Sequence, residues 1–536
     1  MITETLSLTR FNLRLRRRFL LLWIVPLLGL IGALPPGYDN QYPDPASRKL
    51  AADAFRGNAV IEAMYGRAPE GDSLGQLVSL EGGALLTLLA GVMTVLLVTG
   101  LFRGPEQAGA GELIRAAGLR PGSVPAAALT TAAIGGLLLG AGTSAVMIAA
   151  NSAVGDLPLE GSLVLGATVL LSVLGTAFLT AACTLFVRDP ANLRRAAFGA
   201  LAVQFVIRAV ADSRDLPHLN WVSPLGWRAI ASPYDSNNWA ALGGLAILCL
   251  GCSLGLVAVE KHREFGRPLI AFGDPKPKAP RRLNGLVALR RVLDRGTRIG
   301  WLIPVVVFAV VLCSLLQTVI DSLTIDGQQT ALAERVGTIF GNDDVVPSFF
   351  AYCAAQIGIL IGAAGVQTSL HFRSEENHRT VDLIRSCGVS RGAPYRSIAR
   401  SSWVTVVLLV VLGTVGGLIG GIPGADDAGE TTTAITVSFL TQIGPAAALT
   451  GIALLLVGAS PRFATLAWLP LIVCALIWIF GPVFNAPDWV IDVSVFSHTP
   501  TSTDVSETGW TTTLLVAIGV ACTLAGAGAA SRREIR

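Results

Sequence analysis

AAALTTAAIGGLLLGAGTSAVMIAA, residues 126–150, holds no charged side chain anywhere along its length. About 20 predominantly apolar residues in a helix cross the hydrocarbon of a bilayer, so this stretch reads as one membrane span. Eleven further apolar runs fall near 19–36, 83–102, 162–187, 196–211, 239–259, 301–320, 348–370, 403–422, 433–458, 464–484 and 510–530. All twelve are expected to be helices, because an open sheet edge leaves backbone groups unmet in lipid. The run at 196–211 is the shortest and holds Arg208.

The composition agrees. Of 536 residues, 52% are hydrophobic and 14% are charged, with a mean hydropathy of +0.61. A soluble domain carries about 25% charge. These figures exclude an ordinary cytosolic enzyme, a disordered chain and a secreted disulfide scaffold. The net charge of +4 excludes the concentrated basic surface of a nucleic-acid binder. Arginine far outnumbers lysine in an Ala- and Gly-rich chain, a bias that reads as a GC-rich genome. Seven of the eight cysteines lie in apolar runs and Cys387 in a basic loop, so no disulfide framework is expected. Cys249 and Cys252 form a C-x-x-C inside a span and read as small packing residues.

Basic residues set orientation. With both termini in the cytoplasm, the inner segments hold 32 of the 40 Lys and Arg residues. The first run follows Arg14, Arg16, Arg17 and Arg18, and is expected to be retained as a span, since no A-x-A cleavage site follows it.

Two segments repeat. EQAGAGELIRAAG at 106–118 and ENHRTVDLIRSCG at 376–388 share E-x5-[ED]-L-I-R-x-x-G. Trp23-Ile-Val-Pro26 pairs with Trp301-Leu-Ile-Pro304, and VSPLGW at 222–227 with VSVFSH at 493–498, in the same order and at nearly the same offset. The chain is therefore read as two six-span halves, 1–260 and 283–536, joined by a basic, Pro-containing cytoplasmic linker at 261–282. An even number of spans makes the repeats parallel, related by an axis along the membrane normal.

Each copy of the repeated segment lies in the cytoplasmic loop between the second and third spans of its half. As a helix, the first carries Glu106 and Glu112 towards its N-terminus and Arg115 towards its C-terminus, with Leu113 and Ile114 as an apolar stripe. Glu376, Asp382, Leu383, Ile384 and Arg385 do the same in the second. Gly118 and Gly388 stand where a C-terminal cap belongs. A capped surface helix would look like this. Its appearance twice, at the same depth, favours docking of a partner that also comes in two copies.

The pattern resembles the E-x-x-x-x-T-x-E-x-L motif of type-2 ABC exporter permeases, with Arg379-Thr380 standing at the motif's Gly-Thr pair and Ala110-Gly111 departing from it. The fused layout, the Arg-rich elbow before each half and the SPLGW-like element before each last span resemble actinobacterial antibiotic-exporter permeases of tetronasin-resistance type. The resemblance implies an all-α fold with cytoplasmic elbow and coupling helices in the bacterial plasma membrane. It implies a transport subunit, not an enzyme, that moves hydrophobic antibiotics or related amphiphiles outward. The partner would be a homodimeric ATPase that binds ATP and Mg, with no cofactor in this chain. It also places the pathway between the first, second and fifth spans of each half, where Trp23, Gln204, Phe205, Arg208, Phe350, Gln356 and Trp478 stand.

Several absences agree with an external energy source. No G-x-x-x-x-G-K-[ST] occurs. No Asp or Glu lies in the core of any run, where an ion-coupled transporter usually keeps one. The five histidines form no metal-ligand pair, and no G-x-S-x-G or H-E-x-x-H occurs. Two other classes compete: an ion-coupled secondary transporter, and a lipid-linked glycosyltransferase using an external carboxylate such as Asp39 or Asp44. The long first external loop contains ASRKLAADAFRGNAVIEAMYG, expected to be helical and to act either as packing on the outer span ends or as a lid.

Overall fold

The computed structural model describes residues 2–56, 59–67, 71–102, 118–120, 122–187, 190–261, 285–314, 345–377, 379–425, 427–481, 486–499 and 505–533. All regular structure among them is helical. Eleven of the described helices are long and apolar enough to cross a membrane. The chain divides into two compact units, 1–275 and 276–536.

In the first unit the spanning helices are α1 (Ile2–Gln41), α4 (Leu74–Phe102), α5 (Ser123–Val154), α6 (Leu159–Cys183), α7 (Pro190–Ser213) and α9 (Trp239–Glu260). The short helices α2 (Pro45–Phe55) and α3 (Ala59–Tyr65) lie between α1 and α4, and α8 (Trp227–Ala231) precedes α9. The Arg-rich elbow and the first span form one continuous helix in α1. Arg16 anchors its N-terminal half by donating Nη2 to Gly100 O at 3.0 Å.

Helices in lipid gain little from hydrophobicity against one another, so small residues that bring backbones together decide who packs with whom. At the α5–α6 contact a Cβ on Gly140 would stand 2.4 Å from Gly166 O, and one on Gly166 would stand 2.3 Å from Gly140 O. The G-x-x-x-G at Gly251/Gly255 faces open space instead. Hydroxyls inside the spans are met locally: Thr87, Thr94, Thr131, Thr143 and Thr168 each donate to the carbonyl four residues back.

The second unit comprises α10 (Gly285–Cys313), α11 (Val345–Ser369), α12 (His371–Asn377), α13 (Thr380–Ser386), α14 (Ala393–Gly421), α15 (Ala428–Thr441), α16 (Ile443–Ala459), α17 (Leu469–Phe480), α18 (Asp488–Ile491) and α19 (Val505–Arg532). Two glycine contacts organise it. Gly420 of α14 would put a Cβ 2.1 Å from Val310 O, and Gly451 of α16 one 2.2 Å from Gly519 O of α19.

Two expected spans differ in form. The 433–458 run is broken at Gln442, where α15 ends and α16 begins, and Gln442 N bonds Phe439 O at 3.2 Å. The 464–484 run yields a 3-10 turn at Phe463–Trp468 and the 12-residue α17, so its described part is too short to cross alone. Part of the 301–320 run, Gln317 included, lies outside the described residues.

Candidate functional site

The second copy of the repeated segment, 376–388, is not one helix. Between α12 and α13 the backbone turns at Arg379, which takes the left-handed conformation at φ 56°. Gly388 closes α13 at φ +80°, as the expected cap requires.

Its inner face is pinned. Phe372 and Val381 are buried with Tyr395, Ile398, Leu454 and Val457, and the Phe372 and Tyr395 rings meet edge-on at 5.5 Å. Glu375 faces Arg290 of α10 in a two-pronged ion pair, with Nη2 to Oε2 at 2.9 Å and the second prong between Nη1 and Oε1. Glu376 pairs with Arg533 beyond α19. His371 Nδ1 lies 3.2 Å from Asp294 Oδ1, and Ser401 donates to the other oxygen of Asp294. Arg298 donates to Ser401 Oγ at 2.9 Å.

Thus Glu376 turns inward. Asp382 and Leu383 are exposed, the latter at 68%, and Ile384 is half-buried. Arg385 donates twice to Arg391 O, at 2.8 and 3.1 Å, and so steadies the loop after α13. Glu106, Glu112, Leu113, Ile114 and Arg115 lie outside the described residues.

The expected pathway residues fall into groups within each unit. In the first, Gln204 is buried and accepts from Thr176 Oγ1 at 3.3 Å. Phe205 lies one helical turn from Arg208, whose guanidinium carbon sits 4.9 Å from the ring centroid. Trp23 packs on the unit's main core beside Phe19. In the second, Gln356 donates to Tyr352 Oη at 3.3 Å, and the Tyr352 ring lies 5.1 Å from Trp478. Phe350 is fully buried against Phe349 and belongs to that unit's core.

A polar cluster where α3, α7 and the 220–235 segment meet in the first unit was not legible as a group. Arg208 Nη2 donates to Ala63 O at 2.6 Å and also to Met64 O. Arg228 Nη2 donates to Tyr65 O at 2.7 Å. Asn220 Nδ2 donates to Asp212 Oδ1 at 2.7 Å. A cavity of about 330 Å³ adjoins them, with Gln76, Ser79, Asp212, Asn220 and Arg228 in its lining. Tyr234 packs close by, its Oη 2.9 Å from Ser162 Oγ, and burial pushes its phenol up to about 12. The signal for Arg228 was an arginine in an otherwise uncharged stretch, VSPLGWRAIASPY.

Asp39 and Asp44, the carboxylates of the glycosyltransferase reading, have structural partners. Arg48 bridges Asp39 at 2.9 Å and Asp156 at 2.8 Å, and Asp44 Oδ1 accepts from Ser47 N at 2.8 Å to cap α2.

One hydrogen-bonding detail occurs within each unit. Ser223 Oγ donates to Gln204 O at 2.7 Å, and Ser494 Oγ donates to Cys474 O at 2.9 Å. Both serines are fully buried, and both belong to the VSPLGW and VSVFSH segments.

Comparison with known proteins finds two similarities. Residues 283–533 match the family described as the C-terminal domain of the multidrug efflux system permease Rv1217c. The chain is also similar along its whole length to one particular protein. It is 28% identical over 544 aligned positions to the multidrug efflux system permease protein Rv1217c of Mycobacterium tuberculosis, covering 100% of this chain and 96% of that protein.

Proposed function

We propose that this chain is a multidrug efflux permease: the membrane-spanning subunit of an ATP-driven exporter for hydrophobic or amphipathic compounds, of tetronasin-resistance type. The observation that carries the efflux reading is the end-to-end similarity to a multidrug efflux permease, joined to eleven helices able to cross a membrane. The ABC type rests on the repeated E-x5-[ED]-L-I-R segments and on the lack of a phosphate-binding loop in the sequence.

In this reading two copies of a separate ATPase, which bind ATP and Mg, dock on the two cytoplasmic segments, and both termini lie in the cytoplasm. The outward face of α13, with Asp382 and Leu383, meets the ATPase in the second half. Glu375 and Glu376 work from behind, tying the segment to α10 and to the end of α19. A push on α13 then reaches two spanning helices through buried ion pairs instead of dissipating in a loop. Such coupling needs a contact that differs between two states, and nucleotide binding in the partner supplies it. Two six-span halves, 1–260 and 283–536, are supported by the matching Ser223 and Ser494 hydrogen bonds. In each half the cargo meets that half's own pathway residues, Gln204, Phe205 and Arg208 in the first and Gln356 and Trp478 in the second, mixtures of apolar surface and a few polar points that suit an amphiphile. Trp23 and Phe350 act there through the helices that they pack.

The test is gentle purification of the tagged protein from its native host, with mass spectrometry of what accompanies it. A Walker-motif ATPase near two copies per chain is expected. A chain free of ATPase that transports in liposomes under an ion gradient would overturn the ATP-driven reading in favour of a secondary transporter.

A further inference from the structure

We propose that α3 is an outward gate of the first unit, held shut by Arg208 and Arg228. The last carbonyls of a helix have no intrahelical donors and ordinarily face water. Here the last three of α3 do not. Ala63 O and Met64 O accept from Arg208, and Tyr65 O accepts from Arg228. Both arginines are buried, with 4% and 8% of their surface exposed. Arg208 comes from the spanning helix α7, so the outer end of that span is fastened to a loop helix by charge-assisted bonds. Gly66 makes the fit possible: at φ +105°, a Cβ there would stand 2.2 Å from Arg228 Nη2.

The closed arrangement leaves other groups unmet. Nine buried side-chain polar atoms lack a hydrogen-bond partner among the described residues. Five of them, Gln76 Oε1, Ser79 Oγ, Arg208 Nε, Asp212 Oδ2 and Asn220 Oδ1, belong to this cluster. The Arg208 Nε to Asp212 Oδ2 separation of 3.9 Å is too long for a hydrogen bond. Buried atoms left without partners favour any movement that admits water or a ligand.

The backbone points the same way. Of five non-glycine residues with positive φ among those described, Asp215, Ser232, Tyr234 and Asn237 lie at or beside the cavity. Strain of this kind persists where surrounding structure imposes it, and it gathers at switch regions. The three arginine-to-carbonyl bonds hold a locally disfavoured state closed. Arg228 both lines the cavity and holds Tyr65 O, so withdrawal of Arg208, as the outer end of α7 shifts, frees α3 and widens the mouth of the cavity.

The gate's role in export rests on the permease reading, but its test needs neither ATPase nor cargo. Ser79, buried in the cavity lining, becomes the reporter as Ser79→Cys in the full chain, in right-side-out vesicles. The probe is a charged, membrane-impermeant maleimide, with the parent chain as background. Adding Arg208→Gln or Arg228→Gln should raise the labelling rate by about tenfold, the factor for one lost charge-assisted hydrogen bond. Arg208→Lys keeps the charge but not the two-carbonyl geometry and should give a smaller rise. If the glutamine variants fail to fold, the lysine variants at 208 and 228 carry the test. Labelling unchanged within about twofold in folded lysine variants, against the one-bond factor, overturns the gate. Faster labelling without any efflux in cells would leave the gate standing and remove the transport reading.

Discussion

Replacing Glu375 with glutamine removes the carboxylate that faces Arg290 and leaves that guanidinium 7% exposed with half its fork unmet. Breaking a buried ion pair from one side costs about 3–5 kcal/mol. Two features lower the figure here. The Glu375 side chain is 15% exposed, and Asp294 lies one turn along α10, on the same face as Arg290. Re-engagement with Asp294 recovers part of the loss, so about 2 kcal/mol is expected from the remaining unpaired donors. A double-mutant cycle with Arg290→Met isolates the pair, read by SDS-induced unfolding in mixed micelles. The coupling should be about 1–2 kcal/mol. The same Glu375→Gln chain should retain less ATPase on purification, because α12 is no longer tied to α10. Strictly additive single effects, together with undiminished ATPase retention, would refute the idea that this pair wires the cytoplasmic segment to the spans.

Leu383→Glu changes an exposed side chain, so it should weaken ATPase retention while leaving the unfolding midpoint unmoved; a shifted midpoint would mean that the residue packs inward. Gly519→Val places a Cβ 2.4 Å from Ala447 O at the α16–α19 contact, and should destabilise by about 1–3 kcal/mol or more, seen as a lower SDS midpoint. Asp39→Ala leaves Arg48 its bonds to Asp156 and Tyr42 O. It should therefore cost about 1 kcal/mol and leave efflux of a test compound in cells intact. Loss of a sugar-transfer activity in that variant would revive the glycosyltransferase reading.

The membrane class was open to reading because it is a local property. Each apolar run must satisfy its own backbone bonds in lipid, so length and composition alone dictate helices. The pairing of VSPLGW with VSVFSH is likewise a local reading, and the second residue of each, Ser223 and Ser494, donates to a carbonyl about 20 residues earlier. The cap at Gly388 was equally local.

What could not be read depends on partners distant in the chain. Glu376 and Asp382 both look like docking carboxylates in sequence, yet Arg533 turns the first inward while the second faces out. The break at Gln442 lies inside one uninterrupted apolar run. Arg208 reads as a lone charge near a span end, free to reach water. Its actual partners, the carbonyls of Ala63 and Met64, lie 145 and 144 residues earlier in the chain. Periodicity and composition decide which segments enter the membrane, since the bilayer acts on each segment alone. Which charged groups end up paired, exposed or left unmet is decided only when helices from distant parts of the chain pack and exclude water between them.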